Sequence, residues 1–240
     1  VPASLRMLIQ FGEKQLKDCA EKFDFIETGA APISQADMEI LCKLLPNTRL
    51  YNTYASTETG IIATHNFNDG YCVAGCLGKP MKHSAITIDD NGFIVCEGKT
   101  LMVGYYGDTD ETNRVLHDNK IFTKDKGNID KEGRLQLVGR EGDIINVGGF
   151  KINPVEVEDV AKSMHEIADC ICIPSPHPVL GTALRLLYVV KEYHSIEKKT
   201  IAKYLATKLE SYKVPQLYTQ VEKVERTYNG KLNRKAYIPQ

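Results

Sequence analysis

The chain has 240 residues, of which 42% are hydrophobic and 25% charged; this is ordinary globular composition, sufficient for one large domain or two small ones, and it excludes a disordered polar tract. Lysine and arginine total 30 against 31 aspartates and glutamates, so no global field draws the chain to nucleic acid or to an anionic membrane, and any charge chemistry is local. No apolar run approaches the length of a bilayer crossing, and the nearest, Leu184 to Val190, contains Arg185. The seven cysteines make no pair of C-x-x-C motifs, and Cys170 and Cys172 alternate as they do on one strand face. They read as reduced thiols in the core of a cytoplasmic protein. No signal peptide is visible, and a start at Val1 reads as a cut from something longer.

The first seventy residues alternate helix and strand signals. Ser34 is placed to cap a helix with Asp37 three residues on, and Met38, Leu41, Cys42 and Leu45 form its apolar face. Phe23 to Glu27 and Arg49 to Tyr54 read as the flanking strands of a β-α-β unit, a grammar that puts ligands beyond the carboxyl ends of strands. From Tyr71 to Leu137 short runs follow, His83 to Ile88, Phe93 to Glu97 and Leu101 to Tyr105, parted by turns such as Asp89-Asp90-Asn91-Gly92. They predict a small antiparallel barrel or sheet.

After Arg140 the grammar changes again. A hairpin is expected at Gly148-Gly149, then a helix with Asn153 as cap, Pro154 as first helical residue and Glu156 as capping-box partner. Ala168 to Pro174 and Leu184 to Val190 read as strands, and Ser195 opens a helix with Ile201, Leu205 and Leu209 spaced for burial. The expected fold is α/β followed by α+β, with units at 1–139 and 140–240 and the boundary near Glu141-Gly142-Asp143.

Gly98-Lys99-Thr100 imitates the end of a Walker loop, but Gly92 lies one residue too far upstream and Phe93-Ile94-Val95-Cys96 reads as strand, so it is rejected as a phosphate cradle. The segment Asn52-Thr53-Tyr54-Ala55-Ser56-Thr57-Glu58-Thr59-Gly60, at a strand end, combines an amide, a ring, hydroxyls and a carboxylate. These suit an adenine edge, an adenine face, a phosphate and Mg²⁺ respectively; taken alone, the segment is a polar turn. Asp125, after an apolar run, is of the kind that accepts from both hydroxyls of a ribose, and alone is a loop acid. Asn229-Gly230-Lys231 presents a lysine on a turn, which alone is a solvated charge.

Together and in this order, these segments resemble the acyl-adenylate-forming superfamily of acyl-CoA synthetases, nonribosomal peptide synthetase adenylation domains and luciferases, over nearly the whole chain. Thr28-Gly29-Ala30-Ala31-Pro32-Ile33-Ser34 is similar to its G-G-A-P-L-S turn, which implies that Gly29, Ala30 and Ala31 line the adenine and acyl pocket. Asn52 through Glu58 resembles N-x-Y-G-x-T-E. That likeness implies Asn52 and Tyr54 at adenine, Ala55 and Ser56 within the nucleotide loop, Thr57 at the α-phosphate and Glu58 at Mg²⁺. Phe122-Thr123-Lys124-Asp125 resembles Y-x-T-G-D, implying Asp125 at the ribose. Gly139-Arg140 resembles the start of the hinge motif, with Arg140 near ribose and phosphate and Gly142 at the hinge. Gly148-Gly149-Phe150-Lys151 resembles the loop that faces the thiol, and Thr227-Tyr228-Asn229-Gly230-Lys231 resembles T-x-x-G-K, which carries the catalytic lysine.

The departures are Ala55 and Lys124 in place of glycines, Glu225 in place of a proline, and Gly142 in place of the hinge Asp or Lys. Lys124 is the one that bears on loop geometry. The resemblance implies part of the large AMP-binding domain at 1–139 and a mobile lid at 140–240. The parent protein would use ATP and Mg²⁺ to convert a carboxylic acid to acyl-AMP and pass it to coenzyme A or to the phosphopantetheine of an acyl carrier protein. Lys231, Thr57 and Glu58 would act at the reacting phosphate, and Gly148, Gly149 and Lys151 would face the thiol. The family's phosphate loop is not in this sequence, so the chain alone is expected to be inactive. The competing class is a noncatalytic nucleotide-binding or partner-binding module derived from the same family.

Overall fold

Helix α1 (Pro2–Asp18) begins with proline in its first turn, where the missing N–H costs nothing. It lies against α2 (Gln35–Leu44) through an Arg6–Asp37 ion pair of 2.8 Å. Ser34 caps α2 by accepting from the Asp37 N–H at 3.2 Å, and Met38, Leu41 and Leu45 are fully buried, as their spacing predicts. The computed structural model describes residues 1–179, 181–227 and 230–237, and the chain divides into two units, Val1–Arg140 and Glu141–Gln240. Among the described residues no helix is long and apolar enough to cross a membrane.

In the first unit, β1 (Phe25–Gly29) and β2 (Arg49–Ser56) pair in parallel from Phe25↔Arg49 to Gly29↔Thr53, completing the β-α-β unit around α2. Both carboxyl ends therefore emerge at one edge. A strand not separated in the sequence reading, β3 (Gly60–Asn66), returns antiparallel to β2. There follow β4 (Cys76–Pro80), β5 (Ser84–Ile88), β6 (Phe93–Gly98), α3 (Thr109–Val115), β7 (Leu116–His117), β8 (Lys120–Ile129) and β9 (Leu135–Arg140). They form one sheet in the order β1-β2-β3-β4-β9-β8-β6-β5, with β7 against β8. β4 joins the parallel and antiparallel parts, pairing β3 at Lys79 and Pro80 and β9 at Cys76 and Gly78. Ile62, Ile94, Ile121 and Leu135 form its buried core.

The strand expected at Leu101 to Tyr105 does not form. Gly104 sits at φ 153°, and the Met102 N–H is taken by the Glu58 carbonyl at 2.8 Å rather than by a ladder partner.

The second unit opens with β10 (Ile145–Val147) and β11 (Phe150–Ile152), paired Val147↔Phe150 across Gly148 (φ 56°) and Gly149 (φ 93°). Two consecutive positive φ angles make the tight primed turn that glycine favours. Asn153 caps α4 (Pro154–Lys162) through the Val155 N–H, but Glu156 does not close a capping box; its carboxylate pairs with Lys213 at 2.7 Å. β12 (Ile167–His177) and β13 (Gly181–Val190) are antiparallel, and β14 (Leu217–Gln220) adds in parallel to β13. α5 (Lys198–Ala206) starts after Glu197 rather than at Ser195, with Ile201 and Leu205 fully buried.

Cys170, Cys172, Leu184 and Leu186 pack with α4 and α5. Ile171, Ile173 and Leu187 pack with Val221, Val224, Leu232 and Tyr237. The C-terminal segment thus covers the second face of this sheet, and a buried ion pair fastens it. Glu158, 1% exposed, accepts from the Cys172 N–H at 2.7 Å and from Arg234 at 2.6 Å.

Burial pushes the Glu158 carboxyl up to about 7, against the pull of Arg234 and Lys162. A folded-state value above the unfolded one means that this group's contribution to stability is present in acid and is lost as pH rises through about 7. Arg234→Met is expected to cost roughly 3–5 kcal/mol, because it strands a buried carboxylate. The cost should be smaller at pH 5 than at pH 8, where protonation no longer relieves it, and the Glu158→Gln/Arg234→Met double variant should recover most of the loss. Denaturant midpoints across that pH range measure all three.

Candidate functional site

The turn between β2 and β3 is built by its own hydroxyls. Ser56 Oγ accepts from the N–H groups of Glu58 (3.2 Å) and Thr59 (3.1 Å), and the Ser56 N–H donates to Thr59 Oγ1 at 3.0 Å. Gly60 closes the turn at φ 61°, where a Cβ would meet Thr100 Cβ at 3.0 Å. Thr100 Oγ1 donates to the Thr59 carbonyl at 2.7 Å, so the Gly98-Lys99-Thr100 stretch braces this turn rather than cradling a phosphate.

Thr57 is exposed at the tip and Glu58 is half-buried beside it. Glu58 Oε1 accepts from the Tyr105 hydroxyl at 2.6 Å. Partial burial acts to raise the Glu58 carboxyl, but hydrogen bonds from Tyr105, Ser56 and its own backbone, with the positive charge of Arg140, hold it below the usual value. The same bond pushes the Tyr105 phenol up to about 12. Tyr105 is the residue the sequence reading missed. It stands 47 positions from Glu58 in a Gly-Tyr-Tyr-Gly run, and no spacing links the two.

A second cluster forms where strands distant in the chain meet. Antiparallel register sets Asp125 on β8 opposite Arg140 on β9, with Arg140 Nε 3.7 Å from Asp125 Oδ1. The Tyr54 hydroxyl, from β2, donates to Asp125 Oδ2 at 2.8 Å. Burial first, and then the Asp125 charge, push the Tyr54 phenol well up, so it remains a neutral donor. The Asp125 N–H donates to Thr123 Oγ1 at 3.1 Å, and Thr123 Oγ1 donates to the Ile94 carbonyl at 2.8 Å. Asp125 is therefore a strand residue and not a loop acid. Lys124 is exposed in β8, where the register with β6 shifts between Phe122 and Lys126, and the Asp125 contacts form beside it.

Asn52 is buried, with Nδ2 donating to the Cys76 carbonyl at 3.1 Å. That leaves Oδ1 of the amide for an incoming donor such as an amino group. Gly29 pairs with Thr53, and a Cβ there would stand 2.9 Å from the Thr53 carbonyl. Ala30, next in the chain, takes φ 68°, a conformation that disfavours any residue with a Cβ; Ala31 follows at the same edge. The structure thus gathers Asn52, Tyr54, Ala55, Ser56, Thr57, Glu58, Asp125 and Arg140 with the Gly29-Ala30-Ala31 turn in the first unit.

In the second unit, Gly142 takes φ 89° in open space. Gly148 and Gly149 form the hairpin turn, and Lys151 is exposed on β11. Lys231 is exposed, no ion pair among the described residues engages it, and its carbonyl accepts from the Thr227 N–H at 2.8 Å. Tyr228 and Asn229 of the lysine motif lie outside the described residues.

The first unit is thus an α/β sheet carrying amide, ring, hydroxyl and carboxylate groups at the carboxyl edge of its parallel strands, the disposition expected of a nucleotide site. Residues 1–106 match the AMP-binding enzyme family, and residues 156–231 match the AMP-binding enzyme C-terminal domain. The chain is 30% identical over 241 residues to a 2-succinylbenzoate–CoA ligase of Staphylococcus aureus, covering 98% of this chain and 47% of that protein. It is 29% identical over 213 residues to a methyl-dioxo-octahydroindenyl-propanoyl:CoA ligase of Mycobacterium tuberculosis, covering 88% of this chain and 42% of that one. The same fold occurs in the o-succinylbenzoate CoA synthetase of Bacillus subtilis, solved with an acyl-adenylate intermediate. The TM-score is 0.81 at 21% identity, over 100% of this chain and 54% of the other. The chain belongs to the acyl-adenylate-forming superfamily, and it spans less than half the length of these two curated relatives.

Two consequences are measurable on the chain itself. Ala30→Gly should raise stability by roughly 0.5–1 kcal/mol, since relief of the left-handed strain exceeds the added freedom of the unfolded chain; a lower denaturant midpoint would contradict the strain. Tyr105→Phe should raise the Glu58 carboxyl pKa, because it removes the strongest group holding it down. Carbon-13 NMR titration of that carboxyl reads the shift, and an unchanged value would detach Tyr105 from it.

Proposed function

We propose that the intact protein is an AMP-forming acid–thiol ligase that activates a carboxylic acid with ATP and transfers the acyl group to coenzyme A. The observation that carries this reading is the Tyr54–Asp125–Arg140 cluster next to the Glu58 turn, which has the acceptors and donors an adenosine and its α-phosphate require. Asp125 would accept from the ribose hydroxyls and Asn52 Oδ1 from the adenine amino group. The Tyr54 ring would lie against the base, with the Gly29-Ala30-Ala31 turn on its other side. Thr57 and Arg140 would donate to phosphate oxygens.

The ion implied for the phosphate chemistry is Mg²⁺. That ion is commonly bound through one or two carboxylates and the phosphates of the substrate. Glu58, ionised and aimed by Tyr105, fits as that carboxylate. When bound, Mg²⁺ would neutralise phosphate charge.

As the acid oxygen attacks the α-phosphate and pyrophosphate leaves, negative charge accumulates on both reactants, and Lys231 is the cation we assign to bridge it. This is electrostatic stabilisation rather than proton transfer. For the second step, Gly142 is assigned as the pivot of the C-terminal unit, since a glycine at positive φ in open space turns without collision. Gly148 and Gly149 would line the thiol path and Lys151 would face the thiol carrier. Coenzyme A is favoured over a carrier protein because the curated relatives described above are CoA ligases. Seven free cysteines, four of them buried, suit the reducing cytoplasm.

The test uses the full-length protein. Lys231→Ala should lower ATP–pyrophosphate exchange by about 10²-fold or more, while thioester formation from preformed acyl-adenylate continues at the parental rate. Equal loss of both half-reactions would remove Lys231 from the first step. A flat exchange assay across a broad acid panel would favour a noncatalytic module.

A further inference from the structure

We infer that Arg226, held by Asp169, is a positioning residue for Lys231, and this inference rests on the adenylation role proposed for that lysine. The described residues around Lys231, Arg226–Thr227 and Gly230–Asn233, form no helix and only an isolated bridge, so something else must fix them. Arg226 and Leu232 form an isolated antiparallel bridge that brackets Lys231. Inside that bracket the Thr227 N–H donates to the Lys231 carbonyl at 2.8 Å and the Gly230 N–H donates to the Thr227 carbonyl at 2.9 Å.

The guanidinium of Arg226 works in two directions at once. One nitrogen donates to the Gly230 carbonyl, immediately before Lys231, at 2.7 Å; the other donates to Asp169 Oδ2, on β12, at 2.5 Å. Asp169 also accepts the Cys170 N–H at 2.9 Å, and this fixes its carboxylate relative to the sheet. The chain of contacts runs from a buried strand, through a carboxylate and a planar fork, to the peptide that carries the lysine. Both side chains are largely covered, with exposures of 29% for Arg226 and 22% for Asp169, so the pair is shielded from the screening that weakens a surface bridge.

Arginine suits this post where lysine would not. Its rigid fork satisfies a carboxylate and a carbonyl together, whereas a single ammonium on a flexible stem fixes neither direction. Arg226 does not touch the reacting atoms; it sets where Lys231 begins. An error of about 1 Å in a catalytic group can cost on the order of 10²-fold in rate, so freeing this turn should be felt in the step that uses Lys231 and not in the other.

The experiment takes full-length protein carrying Arg226→Ala, Arg226→Lys or Asp169→Asn, with Lys231→Ala alongside. The expected result is a fall in the kcat of ATP–pyrophosphate exchange of roughly 10-fold or more for Arg226→Ala. Smaller falls are expected for Arg226→Lys and Asp169→Asn. KM for ATP should be little changed and thioester formation from preformed acyl-adenylate unaltered. Hydrogen exchange at the Gly230 and Lys231 amides should accelerate in the same order.

If Arg226→Ala fails to fold, Asp169→Asn, which retains every backbone bond, carries the test. Parental exchange rates in the Arg226 and Asp169 variants while Lys231→Ala is inactive overturn the positioning role alone. Equal loss of both half-reactions overturns it as well, by making the pair merely structural. Full exchange activity in Lys231→Ala overturns the underlying reading instead.

Discussion

Asp125 and Tyr54 are 71 residues apart in the chain and belong to strands separated by three others in the sheet, β3, β4 and β9. Their hydrogen bond is possible only because the sheet bends through β4, whose two ends pair with different neighbours. That contact is the constraint on which the first unit's site depends. It fixes the tyrosine ring above the end of β2 and orients one carboxylate oxygen. The other oxygen is left on the side of Arg140, which the β8–β9 register delivers directly opposite. Burial and the Asp125 charge push the phenol up, so Tyr54 stays a neutral donor to Asp125 Oδ2.

What was legible in the sequence, and what was not, follows from the range of each interaction. Elements whose signals are local came through: the Ser34 cap and the Met38, Leu41 and Leu45 face of α2, the Gly148-Gly149 hairpin, and the alternation of Cys170 and Cys172, both fully buried. Local signals with competing long-range partners did not. Glu156 stands at the capping-box position yet answers to Lys213, 57 residues away, and the Leu101 to Tyr105 run is drawn off its ladder by the Glu58 carbonyl. In the site, residues within motifs were found through their resemblance to a family. Tyr105 and Thr100, which brace the Glu58 turn from another part of the chain, have no motif and no spacing to betray them.

The same distinction explains why a departure from the family pattern can be harmless at one position and costly at another. Lys124 replaces a glycine at a shift of register in β8, but it is exposed and its φ is not positive, so its side chain meets solvent and the backbone does not require glycine. At Ala30, by contrast, the backbone is at φ 68° and the methyl is resisted. Residue type alone does not rank the two; the dihedral does.

Charge placement also separates the roles of the two units. In the first unit both acids already have partners: Arg140 stands 3.7 Å from Asp125, and Tyr105 donates to Glu58 at 2.6 Å. In the second unit the covered acids next to the lysine-bearing segment are already occupied: Asp169 holds Arg226 and Glu158 holds Arg234. Each arginine satisfies a carboxylate and anchors the segment, and neither leaves an acid to claim Lys231. The lysine is thereby fixed through its backbone while its ammonium stays exposed and uncommitted. The role proposed for Lys231, neutralising charge that arrives with a substrate, needs that combination, and two arginine–carboxylate pairs are what supply it.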